Sequence, residues 1–312
     1  MRIEYHRTLI ADGVRNAAFE AALRQVIKKS ETVVADVGAG TGLLGLLAAR
    51  LGAREVHLYE AGAVAEIARA ILKRNRARQC HLMPCHSTEM HNPPRVDVVV
   101  SETLGNYPFE ENIIETLNDA LKRHLKPGGV VIPGRLVQFV VPVISDRFHI
   151  ELTVWDRTGL GIDFWPARMM SLNNIYVRPL LLPDLLDDGR AAKPWDEIHF
   201  SVQNRASRKG EVHWRLEAPA TVYGFATWWI AELTPGVSLS TTPDAPRTHW
   251  EQLYFPLLRP IAGQAGEIIG VSLRSRSSMD AGTHVAWTAT GLDRSGRLLD
   301  RQAMNLDRGF LP

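Results

Sequence analysis

The amino-acid sequence predicts an α/β domain built on a parallel sheet, followed by a second domain rich in antiparallel strands. Two observations predict this fold class. From Thr32 to about Pro133, short valine-rich runs alternate with longer amphipathic segments, which is typical of strands joined by helices in a parallel sheet. Beyond Gly134 the long helical repeats stop, and β-branched, aromatic and turn residues take over.

Each element of the first domain, residues 1–134, follows from its own pattern. The predicted strands are the short apolar runs TVVADV, EVHLYE, CHLMPC, VDVVVSE and GVVIP. The predicted helices are the amphipathic segments LLGLLAARLG, AVAEIARAILKRNRA and ENIIETLNDALKRHL. A further helix, RNAAFEAALRQVIKKS, precedes the first strand and is expected to pack on the sheet.

The second domain, residues 135–312, carries strand patterns and one irregular insertion. Its predicted strands include RLVQFVVPVI, EVHWRLEA, TVYGFATWWIAEL and EIIGVSLRSR. The insertion, about residues 151–195, separates the first of these strands from the others. Its segment FWPARMM is too short to bury Phe164, Trp165, Met169 and Met170 against itself, so another surface is expected to cover them.

Length, charge and cysteine usage exclude several classes of protein. The chain has 312 residues, 45% of them hydrophobic, and 36 Lys plus Arg balance 34 Asp plus Glu, so charge gives no indication of nucleic-acid binding. The charged N-terminus does not resemble a signal peptide, and no apolar run is long enough for a membrane span, so we expect a cytoplasmic protein. Cys80 and Cys85 fit no zinc spacing, and we expect no metal.

Three glycines, Gly38, Gly40 and Gly42, lie between a predicted strand and a predicted helix in VADVGAGTGLLGLLAARLG. Glycines at such a turn permit unusual backbone dihedrals and remove Cβ atoms, while the helix N-terminus offers free amides to a ligand. The triplet alone is equally compatible with a tight turn that binds nothing. A dinucleotide fingerprint requires G-x-G-x-x-G, and because Leu43 occupies the place of the last glycine, NAD is disfavoured.

Two acidic residues beside the glycines indicate a different nucleotide. Glu60 ends the second predicted strand, 18 residues after Gly42, where a carboxylate can accept hydrogen bonds from both hydroxyls of a ribose. Asp36 opens the glycine loop and suits a positively charged ligand. Together these features predict an S-adenosyl-L-methionine site in a Rossmann-like methyltransferase.

A second acidic pair follows the fourth predicted strand in SETLGNYPFEEN. Glu102 and Glu111 flank a glycine-containing loop at the carboxyl edge of the sheet, where open parallel sheets bind ligands. A pair of carboxylates there would suit a cationic methyl acceptor. Taken alone, the pattern favours Glu111 as a residue that stabilises the start of the next helix, and neighbouring Glu110 is an equal candidate.

Several motifs are similar to those of the protein arginine methyltransferases, and the resemblance covers nearly the whole chain. HRTLIADGVRNAAF resembles the family segment ahead of the cofactor motif, and VADVGAGTGLLGLLAARLGAREVHLYE resembles that motif itself. SETLGNYPFEEN resembles the double-glutamate loop, with Glu102 and Glu111 in the family spacing and Glu110 outside it. LSTTPDAPRTHWEQLYFPL resembles the family's Thr-His-Trp loop, here Thr248, His249 and Trp250, and is the most specific of these matches.

The resemblance implies a Rossmann-like cofactor domain, a β-barrel domain with a helical dimerisation arm at the insertion, and a homodimer. For the cofactor, it implies that Arg15 pairs with the carboxylate, Glu60 holds the ribose and Glu89 meets the adenine. The remaining residues that it places around the cofactor are His6, Asp36, Gly38, Gly40 and Gly42.

The resemblance also implies how the methyl acceptor is held. In the family, the two glutamates of the loop clamp the substrate guanidinium, which here are Glu102 and Glu111. The Thr-His-Trp histidine, His249, closes the pocket and pairs with an acid that matches Asp12. The expected partner is therefore an arginine-containing protein or peptide, or a small guanidine substrate.

The sequence also departs from the family pattern. Only five residues precede His6, so we expect the family's tyrosine-bearing helix to be missing or unrecognisable and the acceptor pocket to be more open. Thr103 follows Glu102 where many arginine methyltransferases carry tryptophan. The acceptor therefore remains open between free arginine, another small guanidine and a peptide. Methylation of lysine or a small amine, and a non-catalytic relative that binds the cofactor, are the alternatives.

Overall fold

The computed structural model describes residues 3–159 and 161–309, and its first half is organised around a parallel sheet. All five predicted strands of that half are present, in the spatial order β3-β2-β1-β4-β5. The order reverses between β1 and β4, and in such sheets the crevice at the carboxyl ends of these two strands binds ligands. The strands are β1 (Val33–Val37), β2 (Glu55–Tyr59), β3 (Cys80–Met83), β4 (Val96–Ser101) and β5 (Leu125–Ile132).

The helices of this half cover the sheet through apolar faces. In α2, Phe19, Ala22 and Leu23 are fully buried, and in α5 the residues Ile113, Leu117 and Ala120 are buried at helical spacing. The predicted helices are confirmed, and a short N-terminal helix, α1, is added to them. The helices are α1 (Ile3–Ala11), α2 (Gly13–Val26), α3 (Leu43–Arg50), α4 (Ala65–Arg74) and α5 (Ile113–Arg123).

The second half consists of antiparallel strands in two sheets, as predicted. The six-stranded sheet has the order β7-β12-β10-β6-β8, with β11 paired to β10, and the four-stranded sheet has the order β15-β14-β13-β9. Trp229 and Trp287 are fully buried in a hydrophobic core that extends into the parallel sheet. The strands are β6 (Arg135–Val143), β7 (Tyr176–Arg178), β8 (Lys193–His199), β9 (Ser207–Arg215), β10 (Ala220–Thr234), β11 (Val237–Ser240), β12 (Gln252–Gly263), β13 (Ile268–Ser278), β14 (Gly282–Leu292) and β15 (Leu298–Asn305).

The insertion is more regular than the sequence predicts. Helix α6 (Arg147–Leu152) begins before residue 151, α7 (Trp165–Leu172) follows it, and β7 pairs with β12 at the edge of the six-stranded sheet. Met169 is buried against the protein's own barrel, whereas Trp165 and Met170 remain 48% and 60% exposed. The expectation of one irregular segment is therefore wrong, because pairing with distant strands orders part of it.

The described residues contain neither a membrane-spanning helix nor a metal-binding cluster. No helix among them is both long and apolar enough to cross a membrane. Within the same ranges, no cluster of three or more His, Cys, Asp or Glu side chains is arranged to hold a metal ion. Cys80 and Cys85 are both free thiols.

Candidate active site

The glycine turn after β1 brings three parts of the chain close together. Gly38 and Gly40 have φ values of +73° and +55°, which L side chains rarely adopt. A Cβ atom on Gly38 would lie 2.6 Å from Cγ2 of Thr103, and one on Gly40 would lie 3.2 Å from the His6 ring. These two glycines therefore let the loop after β4 and helix α1 approach the turn closely.

Two carboxylates lie at the carboxyl ends of β1 and β2. Asp36 is buried, and its Oδ2 accepts a hydrogen bond from the Gly45 amide at 2.7 Å. Burial raises the pKa of Asp36 to about 7, so a cation in this place would favour its ionised form. Glu60 accepts hydrogen bonds from the amides of Gly40 at 2.8 Å and Gly62 at 2.7 Å, which fix its carboxylate beside the glycine turn.

One pocket at the carboxyl ends of β1 and β4, where the strand order reverses, brings most of the predicted site residues together. Asp12, Gly42, Glu89 and His249 are not among its lining residues. The predicted residues that do line it are His6, Arg15, Asp36, Gly38, Gly40, Glu60, Glu102 and Glu111.

The structure places Ser87, rather than Glu89, in the pocket wall after β3. Glu89 is exposed, and its carboxylate accepts a hydrogen bond from the His86 amide at 3.2 Å. Ser87 is buried, and its hydroxyl has no hydrogen-bond partner among the described residues. Arg123 and His124 bond the Ser87 carbonyl at 2.9 and 3.1 Å, so the end of α5 holds this turn in position. Sequence reasoning missed Ser87, because nothing in HSTEM distinguishes its orientation from that of Glu89.

Arg15 and Glu102 form a buried ion pair in the pocket. The Arg15 Nε donates to Glu102 Oε2 at 2.6 Å, and Nη2 contacts the same oxygen. Both side chains are almost fully buried. Burial raises the pKa of Glu102 to about 7, against the opposing effect of the Arg15 charge. Glu102 is therefore a carboxyl group whose charge depends strongly on a neighbouring cation.

The two candidate acids at the other end of the loop point in different directions. Glu111 lines the pocket, and burial followed by the charge of Glu60 raises its pKa. The Oε1 of Glu110 accepts a hydrogen bond from the Asn106 amide at 3.0 Å, which turns this side chain back onto its own loop. Helix α5 begins only at Ile113, so Glu111 lies ahead of the helix rather than on its solvated face.

Helix α1 corrects the expectation that no tyrosine-bearing helix would be recognisable before His6. The helix begins at Ile3, and both Tyr5 and His6 line the pocket. Burial, together with the charges of Glu111 and Glu102, raises the pKa of Tyr5 to about 12. Its ring also lies edge-on to His249, with 6.3 Å between ring centroids. A helix that carries a tyrosine therefore does contribute to the pocket wall.

Asp12 and His249 form the predicted pair. The Asp12 Oδ2 bonds His249 Nδ1 at 2.7 Å and accepts from the His249 amide at 2.8 Å. The other oxygen of Asp12 accepts from the Arg15 amide at 2.9 Å, capping α2. His249 Nε2 is buried without a partner among the described residues, and burial lowers the pKa of this histidine. One carboxylate therefore joins the Thr-His-Trp loop to the helix that carries Arg15.

The barrel holds the double-glutamate loop through two tryptophans. Trp250 Nε1 donates to the Leu104 carbonyl at 2.7 Å, and Trp229 Nε1 donates to the Gly105 carbonyl at 3.0 Å. The two indole rings pack edge to face, 4.9 Å between centroids. Sequence reasoning missed Trp229, since its pattern in TWWIAEL indicates only a buried strand.

Comparisons with known proteins agree with this arrangement in both halves of the chain. Residues 20–149 match the family model described as ribosomal protein L11 methyltransferase (PrmA), and residues 138–286 match the arginine methyltransferase oligomerization subdomain. Protein arginine N-methyltransferase 6 of Danio rerio is 28% identical over 264 residues, covering 80% of this chain and 75% of the relative. The arginine N(omega)-methyltransferase of Streptomyces achromogenes subsp. streptozoticus is 29% identical over 293 residues, covering 86% and 75%.

Solved structures share the fold over almost the whole chain. The Trypanosoma brucei PRMT1 enzyme–prozyme heterotetrameric complex with AdoHcy superposes with a TM-score of 0.86 at 23% identity, covering 97% of this chain and 98% of the other. Protein arginine methyltransferase 10 of Arabidopsis thaliana gives 0.81 at 20% identity, with 98% of each chain covered. The fold and site define a Rossmann-like methyltransferase with a β-barrel domain. Both halves of the chain are similar to protein arginine methyltransferases in sequence and in fold.

Proposed function

We propose that this protein transfers a methyl group from S-adenosyl-L-methionine to a guanidino nitrogen of arginine in a protein or peptide. The observation that carries the proposal is the position of Glu102 and Glu111 on one pocket with the glycine turn and Glu60, while Glu110 is turned away. In this proposal, residues 1–134 form the domain that binds the cofactor, and residues 135–312 form the domain that helps to hold the acceptor.

The pocket fits S-adenosylmethionine, which supplies a methyl group activated by its sulfonium charge when bound. Gly38 and Gly40 form a cradle that side chains would fill, and the buried Ser87 hydroxyl and His6 Nε2 lack partners among the described residues. Glu60 keeps acceptor capacity for ribose hydroxyls beyond its two backbone bonds. Asp36 adds a buried negative charge near a cationic ligand.

Arg15 has the donors to bind the cofactor carboxylate without releasing Glu102. A guanidinium carries five N–H groups. Nε and Nη2 of Arg15 bond Glu102, and Nη1 donates to Asn16 Oδ1 at 2.7 Å, which leaves two N–H groups for a ligand. We infer that Arg15 joins the two halves of the pocket, orienting both the cofactor and the first glutamate.

The acidic pair would make a poor nucleophile reactive by position and charge. A guanidinium has delocalised lone pairs and a pKa above about 12, so alignment with the methyl group is the main requirement. Glu102 and Glu111 would fix its plane and draw positive charge away from the attacking nitrogen. The proton then leaves to water or through the pair of His249 and Asp12.

A screen with methyl-labelled S-adenosylmethionine tests this function. Its acceptors are an arginine peptide, the same peptide with lysine in place of arginine, and free arginine, with the products located by tandem mass spectrometry. We expect label on the guanidine of the arginine peptide. Faster transfer to free arginine would establish the small-guanidine alternative. Free arginine is the small guanidine to test, because the Streptomyces relative is named an arginine N(omega)-methyltransferase. Label on lysine alone, or cofactor binding with no transfer, would refute the proposal.

The cofactor assignment has a separate test in Glu60→Ala. Removing the acceptor of two ribose hydroxyls should weaken S-adenosylmethionine binding by about 1 to 3 kcal/mol, measured by calorimetry. Glu66→Ala is the control, since the Glu66 side chain is 74% exposed on α4 and lies outside the pocket. Unchanged affinity in a folded Glu60→Ala protein would contradict the assignment.

We propose a homodimer formed through the insertion. The supporting observations are the match of residues 138–286 to an oligomerization subdomain and the exposed apolar side chains of Ile162, Trp165 and Met170. These three side chains are 59%, 48% and 60% exposed. Clustered exposed apolar side chains are typical of an interaction surface, and a second copy of the chain would remove them from water.

We propose a cytoplasmic location, which the state of the cysteines supports. Cys80 and Cys85 are both unpaired and partly buried. Free thiols of this kind are typical of a reducing compartment. Oxidation-dependent activity of the purified protein would argue against this location.

A further inference from the structure

The four-stranded sheet of the barrel carries a basic groove that the methyl-transfer site does not use. The groove has a volume of about 540 Å³ and lies over β9, β13 and β14. Among its lining residues, Asp307 is the one carboxylate, and it is paired with His284 at 2.7 Å. The arginine and lysine side chains that line it are Arg205, Arg208, Lys209, Arg274 and Arg276.

Four of these five cations have no counterion among the described residues. Arg208 is held by Asp196 at 2.6 Å. Arg205, Lys209, Arg274 and Arg276 are exposed and make no hydrogen bond or ion pair with any residue in 3–159 or 161–309. The groove therefore concentrates positive charge on a chain whose overall charge is only +2.

Strand register places two of these cations directly against each other. Arg274 of β13 lies opposite Lys209 of β9, and Arg276 lies two residues further on the same outward face. Like charges at opposed positions of neighbouring strands destabilise a sheet, whereas an opposite charge there would stabilise it. The opposed cations on β9 and β13 therefore cost stability in the free protein. An anionic partner bound in the groove would offset that cost by supplying the opposite charge.

The same strand contacts the acceptor loop from its other face. Ser275, between Arg274 and Arg276, points inward, and its hydroxyl hydrogen-bonds the Tyr107 hydroxyl of the double-glutamate loop. At the end of β13, the Met279 amide donates to Glu115 at 3.0 Å, just beyond the start of α5. The groove is therefore built on the strand whose other face supports the acceptor loop.

We propose that this groove docks an acidic segment of the same polypeptide that carries the acceptor arginine. The inference rests on the proposed function, and it adds a substrate class: arginines accompanied by a run of Asp or Glu. Carboxylates are the anions that match these unpaired cations. A single-stranded nucleic acid fits less well, because no Trp, Tyr or Phe side chain lines the groove to stack bases.

The test compares an arginine peptide followed by a run of glutamates with its counterpart in which glutamines replace the glutamates. At low salt we expect kcat/KM to be about tenfold higher for the acidic peptide, through faster and tighter association. The preference should shrink as ionic strength rises toward about 1 M. The double variant Arg274→Glu, Arg276→Glu should lose the preference, with circular dichroism confirming that it is folded.

The matched control is Arg74→Glu, Arg78→Glu, which makes the same charge change on exposed residues of the parallel-sheet half and should keep the preference. Equal kcat/KM for both peptides, or a preference that survives the groove variant, would overturn the proposal. Tighter binding of a short single-stranded RNA than of the glutamate peptide, lost in the groove variant, would overturn it in favour of nucleic acid.

A labelled glutamate peptide without arginine separates this proposal from the proposed function. If fluorescence anisotropy shows that it binds and that the groove variant abolishes binding, the docking surface stands even when no guanidine is methylated. Methylation of the arginine peptide without any binding of the glutamate probe would leave the function intact and remove the docking surface.

Discussion

At the scale of single residues, the pocket holds more negative charge than its own cations balance. Asp36, Glu60, Glu102 and Glu111 all line it, and Arg15 is the arginine beside them. Burial raises the pKa of Asp36, Glu102 and Glu111, and burying carboxylates without balancing charge costs stability. That cost is explained if the pocket binds two cationic groups, a sulfonium and a guanidinium, each of which would restore the ionised carboxylates.

This charge balance predicts the pH dependence of the reaction. The pKa of Glu102 is raised to about 7 and that of Glu111 is raised as well, so both acids become neutral as the pH falls. A neutral acid cannot pair with a guanidinium. We expect kcat/KM, which reports the free enzyme, to rise between pH 6 and 8 with an apparent pKa near 7.

The pH profile of kcat provides a second check on this interpretation. The profile of kcat, which reports the occupied site, should lie at lower pH, because a bound cation favours the charged carboxylates. A kcat/KM profile that is flat between about pH 6 and 8 would show that the acids are already ionised in the free protein.

The sequence predicts some residues of the site better than others. Glu60 was recognisable from its place at the end of a predicted strand, whereas Glu102 and Glu111 were recognisable as a pair only through the resemblance of their loop to the family's double-glutamate loop. Ser87 was not, since its role depends on how Arg123 and His124 hold the carbonyl of its turn. Residues whose position is set by tertiary contacts leave no signal in their local sequence.

At the scale of elements, the acceptor loop depends on the barrel for its shape. Its backbone carbonyls at Leu104 and Gly105 accept hydrogen bonds from Trp250 and Trp229, and the Glu251 amide donates to Asn106 Oδ1 at 2.8 Å. The barrel therefore holds the loop that separates the two glutamates.

Trp250→Phe tests this dependence. The change keeps an aromatic ring but removes the donor to the Leu104 carbonyl, an unmade bond that costs about 1 to 3 kcal/mol. We expect kcat to fall about tenfold or more, with cofactor affinity unchanged. Trp214→Phe is the control, because Trp214 Nε1 donates to the Ala191 carbonyl at the same 2.7 Å, outside the acceptor loop. Equal loss of kcat in both variants would indicate general destabilisation.

Elements were predictable where their pattern is long and periodic. The five parallel strands and α2 to α5 follow from such patterns. Helix α1 spans nine residues with one buried side chain, His6, and β7 spans three residues. Neither has enough periodicity of its own, and β7 is a strand because β12 pairs with it.

At the scale of the whole molecule, the exposed arm predicts self-association. We expect light scattering to find a dimer at micromolar concentration. The double change Trp165→Ser, Met170→Ser removes exposed apolar surface while leaving Met169 and Leu172 buried, so it should shift the protein to monomer. Leu298→Ser, Leu299→Ser is the control, since both leucines are about half exposed on β15. A monomeric wild-type protein would contradict the proposal that the insertion forms a dimer interface.

We propose that Glu102 and Glu111 act together on a guanidinium. Changing either to Gln keeps its shape and removes its charge. We expect single-turnover methyl transfer to an arginine peptide to fall about 10² to 10³-fold in each variant, with cofactor affinity within a few fold. Glu110→Gln keeps the oxygen that accepts from Asn106 and should transfer methyl nearly as fast as wild type. If Glu110→Gln is as slow as Glu111→Gln, or if both pocket variants keep wild-type rates, the claim is wrong.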